Sequence, residues 1–144
     1  MCSWPKQRNS VMSLPKKSLC VLLWVSLSFA GCFTERGDEG ELLYGRHCAS
    51  CHLENGEGLR GVIPPLVNSD YSEKNRDYLA CLIRQGIQGP IMVNGKQYNQ
   101  PMPGNPQLSE ADITNIINYL HKEFKSPKER VSFGQVREQV ANCP

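Results

Sequence analysis

Cys48-Ala-Ser-Cys51-His52 decides how the rest of this chain is read. Two thiols two residues apart, with a histidine directly after the second, fit on a single helical turn. Three chemistries use such a pair. A thioredoxin-like redox pair sits at a strand-to-helix junction within a βαβ pattern, and no such pattern surrounds these residues. A structural zinc site wants two further Cys or His ligands at short, matched spacing, whereas Cys81 and Cys143 stand far from each other. The adjacent His52 favours the third chemistry, covalent attachment of haem c. There the two thiols add across the vinyl groups and the imidazole ligates the iron between them.

Outward from the motif, the pattern of small, polar and apolar residues predicts short helices around it. A folded domain begins near Glu39, with a short helix up to Cys48 and a Gly-rich loop from Glu54 to Gly61. A Pro-Pro turn follows at Pro64 and Pro65. Tyr78, Leu79, Leu82 and Ile83 fall on one face of a second helix that Gly86 terminates. Ile91-Met-Val and Lys96-Gln-Tyr, joined by Asn94-Gly95, predict a small hairpin with a type I′ turn. Gln100-Pro-Met-Pro-Gly-Asn-Pro-Gln107 cannot be helical. The last helix carries the clearest signals. Ser109 with Asp112 three residues on forms a capping-box variant, Leu108 staples against Ile113, and Ile113, Ile116, Ile117, Leu120 and Phe124 make one apolar stripe. Residues 125–144 are polar, with no further element expected.

The chain has 144 residues, 40% hydrophobic and 21% charged, enough for one globular domain and a targeting segment. Residues 1–31 have the form of a secretory signal. Lys6, Arg8, Lys16 and Lys17 precede an apolar stretch from Leu19 to Gly31 that is too short to span a bilayer, for which about 20 residues are needed. Met12 is an alternative start that would shorten the charged region to a more usual length. Formal net charge is +2, from 16 Lys and Arg against 14 Asp and Glu, and four of the bases belong to the leader. The remaining 12 bases against 14 acids give the exported chain a net charge of −2. That excludes a general nucleic-acid-binding surface.

Leu27-Ser-Phe-Ala-Gly-Cys32 resembles a bacterial lipoprotein box, with Phe29 where Leu is usual. Lipidation of Cys32 would anchor the chain to a membrane through residues 32–38 as a polar tether. Ordinary cleavage after Ala30 is the alternative, and it would leave Cys32 a free thiol.

With these residues in hand, the stretch from 38 to 124 resembles the class I cytochromes c. The resemblance implies an all-α fold, helices around one covalently bound haem c, with the hairpin before the axial-methionine loop. Gly40 and Tyr44 match positions where that family packs its first helix on its last, and Ile116 and Tyr119 match the partner positions. Pro64-Pro65-Leu66 is similar to the family's Pro-x-Leu segment, so Pro64 would accept a hydrogen bond from His52 and Leu66 would pack on the haem. The second axial ligand would come from a proline-bearing loop before the last helix. Met102, between Pro101 and Pro103, fits that place better than Met92 in the hairpin, whose ordinary role is packing. His47 and His121 are rival nitrogen ligands, both expected at the surface. Trp4 and Trp24 lie in the leader, so Tyr71 or Tyr98 would have to supply the propionate hydrogen bond that many members draw from tryptophan.

Seven cysteines are then distributed. Cys2 and Cys20 leave with the leader, Cys32 takes lipid, and Cys48 and Cys51 take haem. Cys81 and Cys143 pair if the tail 126–144 wraps back on a domain spanning 39–125; otherwise they are two thiols, buried or free. Iron bound by His52 and Met102 leaves no position for substrate, which implies an electron carrier and not an enzyme. The expected setting is the periplasmic side of a bacterial membrane, with a respiratory complex, a periplasmic reductase or a terminal oxidase as redox partner. The alternatives are a haem subunit of a larger membrane oxidoreductase, and a haem sensor or peroxidase.

Overall fold

The computed structural model describes residues 38–144. The signal segment and Cys32 lie outside the described residues. Helix α1, Glu39–His47, starts where the Asp38 carboxylate accepts the Gly40 N–H at 3.0 Å. It stops one residue short of the predicted boundary. The motif's remaining residues form a separate turn, α2, Ala49–His52. Leu53 follows with a φ of 62°, and this left-handed step turns the chain out of the helix.

Helix α3, Asp70–Lys74, is capped by Ser69, whose hydroxyl accepts the Ser72 N–H. A 3-10 turn at Arg76–Tyr78 leads into α4, Leu79–Gln85, in which every residue from Leu79 to Ile83 is buried. The chain then forms two small antiparallel pairs. Strand β2, Ile91–Val93, pairs with β3, Lys96–Tyr98, across Asn94 and Gly95 at φ 50° and 76°, the two positive values a type I′ turn requires. Strand β1, Gly86–Ile87, pairs with β4, Met102–Pro103, opposing Ile87 to Met102. That second pair was not expected of the proline-rich segment. It is possible because Pro occupies a sheet of only two strands, where an outward N–H is dispensable.

Helix α5, Glu110–Phe124, begins with the full capping box: Ser109 and Asp112 satisfy each other's backbone N–H groups. Its apolar stripe is buried throughout. Helix α1 crosses α5 with their backbones in close approach at Gly40, where a Cβ would come within 2.7 Å of the Tyr119 Cβ and strike the Asn115 carbonyl. Beside the crossing, Tyr44, Tyr119 and Phe124 form a mutual aromatic cluster with centroids 5.3–5.7 Å apart.

The tail holds a helix that the sequence reading left out: α6, Phe133–Ala141. Ser132 and Gln135 make a second capping box, and Val131 and Val136 are buried. The composition is polar because only a narrow apolar edge faces the domain. Asn118 on α5 receives the tail by bonding both the N–H and the carbonyl of Val131 at 3.0 Å. His121, expected at the surface, is half-buried, and its Nδ1 donates to the Pro127 carbonyl. A disulfide joins Cys81 to Cys143, with Cα atoms 5.6 Å apart. Among the described residues no helix is long and apolar enough to cross a membrane.

Candidate functional site

Helices α2, α4 and α5, the turn after Gly61 and the strands on either side of the hairpin enclose one cavity. It holds about 980 Å³ of empty space, including its open mouth. Its walls are mostly aliphatic: Ile63, Leu66, Leu79, Leu82, Ile83, Ile87, Ile91, Val93, Ile116 and Leu120. Three groups with distinct chemistry enter this apolar space: the thiols of Cys48 and Cys51, the imidazole of His52 and the thioether of Met102.

The local fold explains each placement. Helix α2 is one turn long, so it sets the two thiols and the imidazole around the same end of the cavity. His52 is buried, 8% exposed, and its Nδ1 lies 3.2 Å from the Pro64 carbonyl. A carbonyl can only accept, so Nδ1 carries the proton and Nε2 keeps its lone pair. Burial lowers the imidazole's pKa, against the opposing pull of the Pro64 bond, which keeps the ring neutral and able to ligate.

The Pro64 carbonyl is itself held in a tight loop. The Gly58 N–H donates to the His52 carbonyl at 3.0 Å, and Leu66 and Val67 both donate to the Gly56 carbonyl. Tyr44 ties this loop to the helix crossing through a 2.6 Å bond from its hydroxyl to the Leu53 carbonyl. Cys48 is half-buried and Cys51 exposed, and neither is in a disulfide. Burial, and then Cys51, push the Cys48 thiol up to about 11.

Met102 is half-buried and lines the cavity from β4, whereas Met92 is 55% exposed and does not line it. The packing role expected of Met92 is therefore not realised: in β2 the inward positions are Ile91 and Val93, and Met92 alternates outward. Strand pairing, and not proline stiffness alone, holds Met102 in place. Tyr71 lines the cavity, while Tyr98 is buried outside it, and His47 and His121 do not line it either. Sequence reasoning missed Ser69, Ser72 and Gln100, polar side chains on the cavity wall. Ser69 had a signal of its own as the cap of α3, but nothing local says that the cap faces inward.

Residues 37–123 match the cytochrome c family. The chain belongs to that family. It is 32% identical over 99 residues to cytochrome c-552 of Thermus thermophilus, an alignment covering 66% of this chain and 75% of the relative. Cytochrome c-552 from a second Thermus thermophilus strain is likewise 32% identical over 99 residues, 66% of each chain. Members of the family are electron carriers with one covalently bound haem c, and so is this cytochrome.

The residues present fit that cofactor. Two unbridged thiols and a neutral buried imidazole at one end of an aliphatic cavity are the donor set that thioether attachment and iron ligation require. A thioether in the same cavity adds a soft donor.

Proposed function

We propose that this cytochrome c transfers single electrons between respiratory or periplasmic redox partners while tethered by a lipidated Cys32 to the outer face of a bacterial membrane. Haem c, when bound, supplies a one-electron couple between Fe(III) and Fe(II). Cys48 and Cys51 would hold the macrocycle covalently, and His52 and Met102 would be the axial ligands. Pro64 orients His52 and makes it a more basic donor through the Nδ1–H bond, while Leu66 and its aliphatic neighbours keep water out.

The observation that supports electron transfer over catalysis is the presence of both His52 and Met102 on one cavity, each from an element held by backbone pairing or a helical turn. Two protein ligands leave no open position on iron, and a rigid cavity changes little between oxidation states. A thioether ligand favours Fe(II), so the potential is expected on the high side for a haem.

Tethering rests on Leu27 to Cys32 and on the apolar stretch before it. The tether of residues 32–38 is at most about 25 Å long when extended, which would keep the domain near the membrane surface. Labelled palmitate incorporated by the parent and not by Cys32→Ala is the expected result; soluble, unlabelled parent protein overturns the anchor. For the electron carrier, the ferric protein should show a sulfur-to-iron absorption band, and the ferrous protein should not bind carbon monoxide. Carbon monoxide binding would point instead to a sensor or peroxidase, and stoichiometric co-purification with a membrane oxidoreductase would make the protein one of its subunits.

A further inference from the structure

The family match ends at residue 123, yet the chain continues into α6 and the Cys81–Cys143 bridge. This tail grips one helix at three points. At the start of α4, Gln139 accepts the Ala80 N–H on its Oε1 at 3.0 Å and donates its Nε2 to the Arg76 carbonyl at 3.2 Å. Tyr78 provides no side-chain cap there, so Gln139 satisfies one of the donors that a helix start leaves orphaned. The disulfide fastens the next residue, Cys81, which is 1% exposed. At the far end, the Gln85 Nε2 donates to the Pro144 carbonyl at 3.0 Å.

The same helix is joined to the segment that carries Met102. Leu79, Leu82 and Ile83 line the cavity. The Ile83 carbonyl accepts the Asn105 N–H at 3.0 Å, and the chain leaving α4 is β1, which pairs Ile87 opposite Met102. Helix α4 therefore stands between the tail and the methionine segment, bonded to both.

We propose that Gln139 is a positioning residue for Met102: together with the Cys81–Cys143 bridge it holds α4 in place, and α4 holds the strand that presents the thioether to the haem cavity. The proposal rests on Met102 being an axial ligand. A close-packed helix moves as a unit, so freeing its first turn loosens β1 and β4 together. The tail thereby sets how readily Met102 yields its place to another ligand.

Imidazole is the probe, since it binds the ferric protein only where Met102 has left, and its association constant reads the grip on the thioether directly. Gln139→Leu removes both side-chain hydrogen bonds and leaves the Ala80 donor buried and unpaired, so the constant should rise about fivefold to tenfold. Gln139→Glu keeps the acceptor for Ala80 and should raise it less. The C81A/C143A pair should also raise it, and these two variants carry the comparison if Gln139→Leu yields no haem-loaded protein. Asp112→Ala, which removes the α5 capping box and so costs stability away from α4, is expected to leave the constant within about twofold.

Tail variants that bind imidazole as the parent does overturn the proposal, as does an equal rise in Asp112→Ala, which would reduce the effect to general destabilisation. A parent that lacks the sulfur-to-iron band overturns the Met102 reading itself, and this is seen before any variant is made.

Discussion

Gly58→Ala tests how the fold tunes His52. Gly58 has a φ of 66°, and an added Cβ would lie 2.5 Å from both the Ile63 and the Pro64 carbonyl oxygens, against an ordinary contact of about 3.4 Å. Left-handed strain costs an alanine about 1–2 kcal/mol, and the overlap with backbone atoms adds about 1–3 kcal/mol. Relief requires the Pro64 carbonyl to shift by close to an ångström, about 0.9 Å from these contacts. That is enough to break its 3.2 Å bond from the His52 Nδ1.

The expected stability loss is about 2–4 kcal/mol, or roughly 10–20 °C in Tm for a domain of this size. Gly61→Ala is the control. Its φ is 81° but the nearest atom to its Cβ is the Lys96 Nζ at 3.7 Å, so it should carry the strain alone, about 1–2 kcal/mol. Losing the Pro64 bond makes the imidazole a weaker donor to Fe(III), so only Gly58→Ala should raise the reduction potential. Thermal unfolding and potentiometric titration of the two haem-loaded variants decide it. Equal Tm losses, or a Gly58→Ala potential at or below the parent's, refute the reasoning.

Three further outcomes follow from the same geometry. Met102→Ala should abolish the sulfur-to-iron band and let the ferrous protein bind carbon monoxide, whereas Met92→Ala, at a 55% exposed position, should change neither spectrum. In the haem-free chain, with Cys48 at about 11, only about a thousandth of that thiol is ionised at pH 8. Alkylation at Cys48, followed by peptide mass spectrometry, should therefore quicken about tenfold per pH unit up to that value. The Asp112 carboxyl is held below its ordinary 3.8 by bonds from the Ser109 hydroxyl and backbone N–H. Its contribution to stability is complete above that pH and is lost as the pH falls through the depressed value, so Asp112→Asn should flatten the urea midpoint below about pH 4.

Much of the site was legible because its chemistry is local. Cys48, Cys51 and His52 are contiguous on one turn, and the capping box at Ser109 and Asp112 and the Asn94-Gly95 turn are satisfied within a few residues of themselves. Pro64 and Met102 came from the family resemblance, and the structure sets both on the cavity, with the Pro64 carbonyl against Nδ1 of His52. Helix α6 was missed although Ser132 and Gln135 repeat the same capping signal. Its apolar edge is too narrow to raise the periodicity above a polar background.

By itself, then, the sequence determined the cofactor chemistry, the helix starts and the apolar stripe of α5, since each depends on residues close along the chain. Only the tertiary structure decided between Met102 and Met92 and between Tyr71 and Tyr98 as cavity residues, and brought the tail onto α4. Those outcomes depend on which face of a short strand turns inward and on hydrogen bonds such as that from Ala80 to Gln139, 59 residues apart. Such contacts exist only when the chain has closed around the cavity, and no local spacing encodes them.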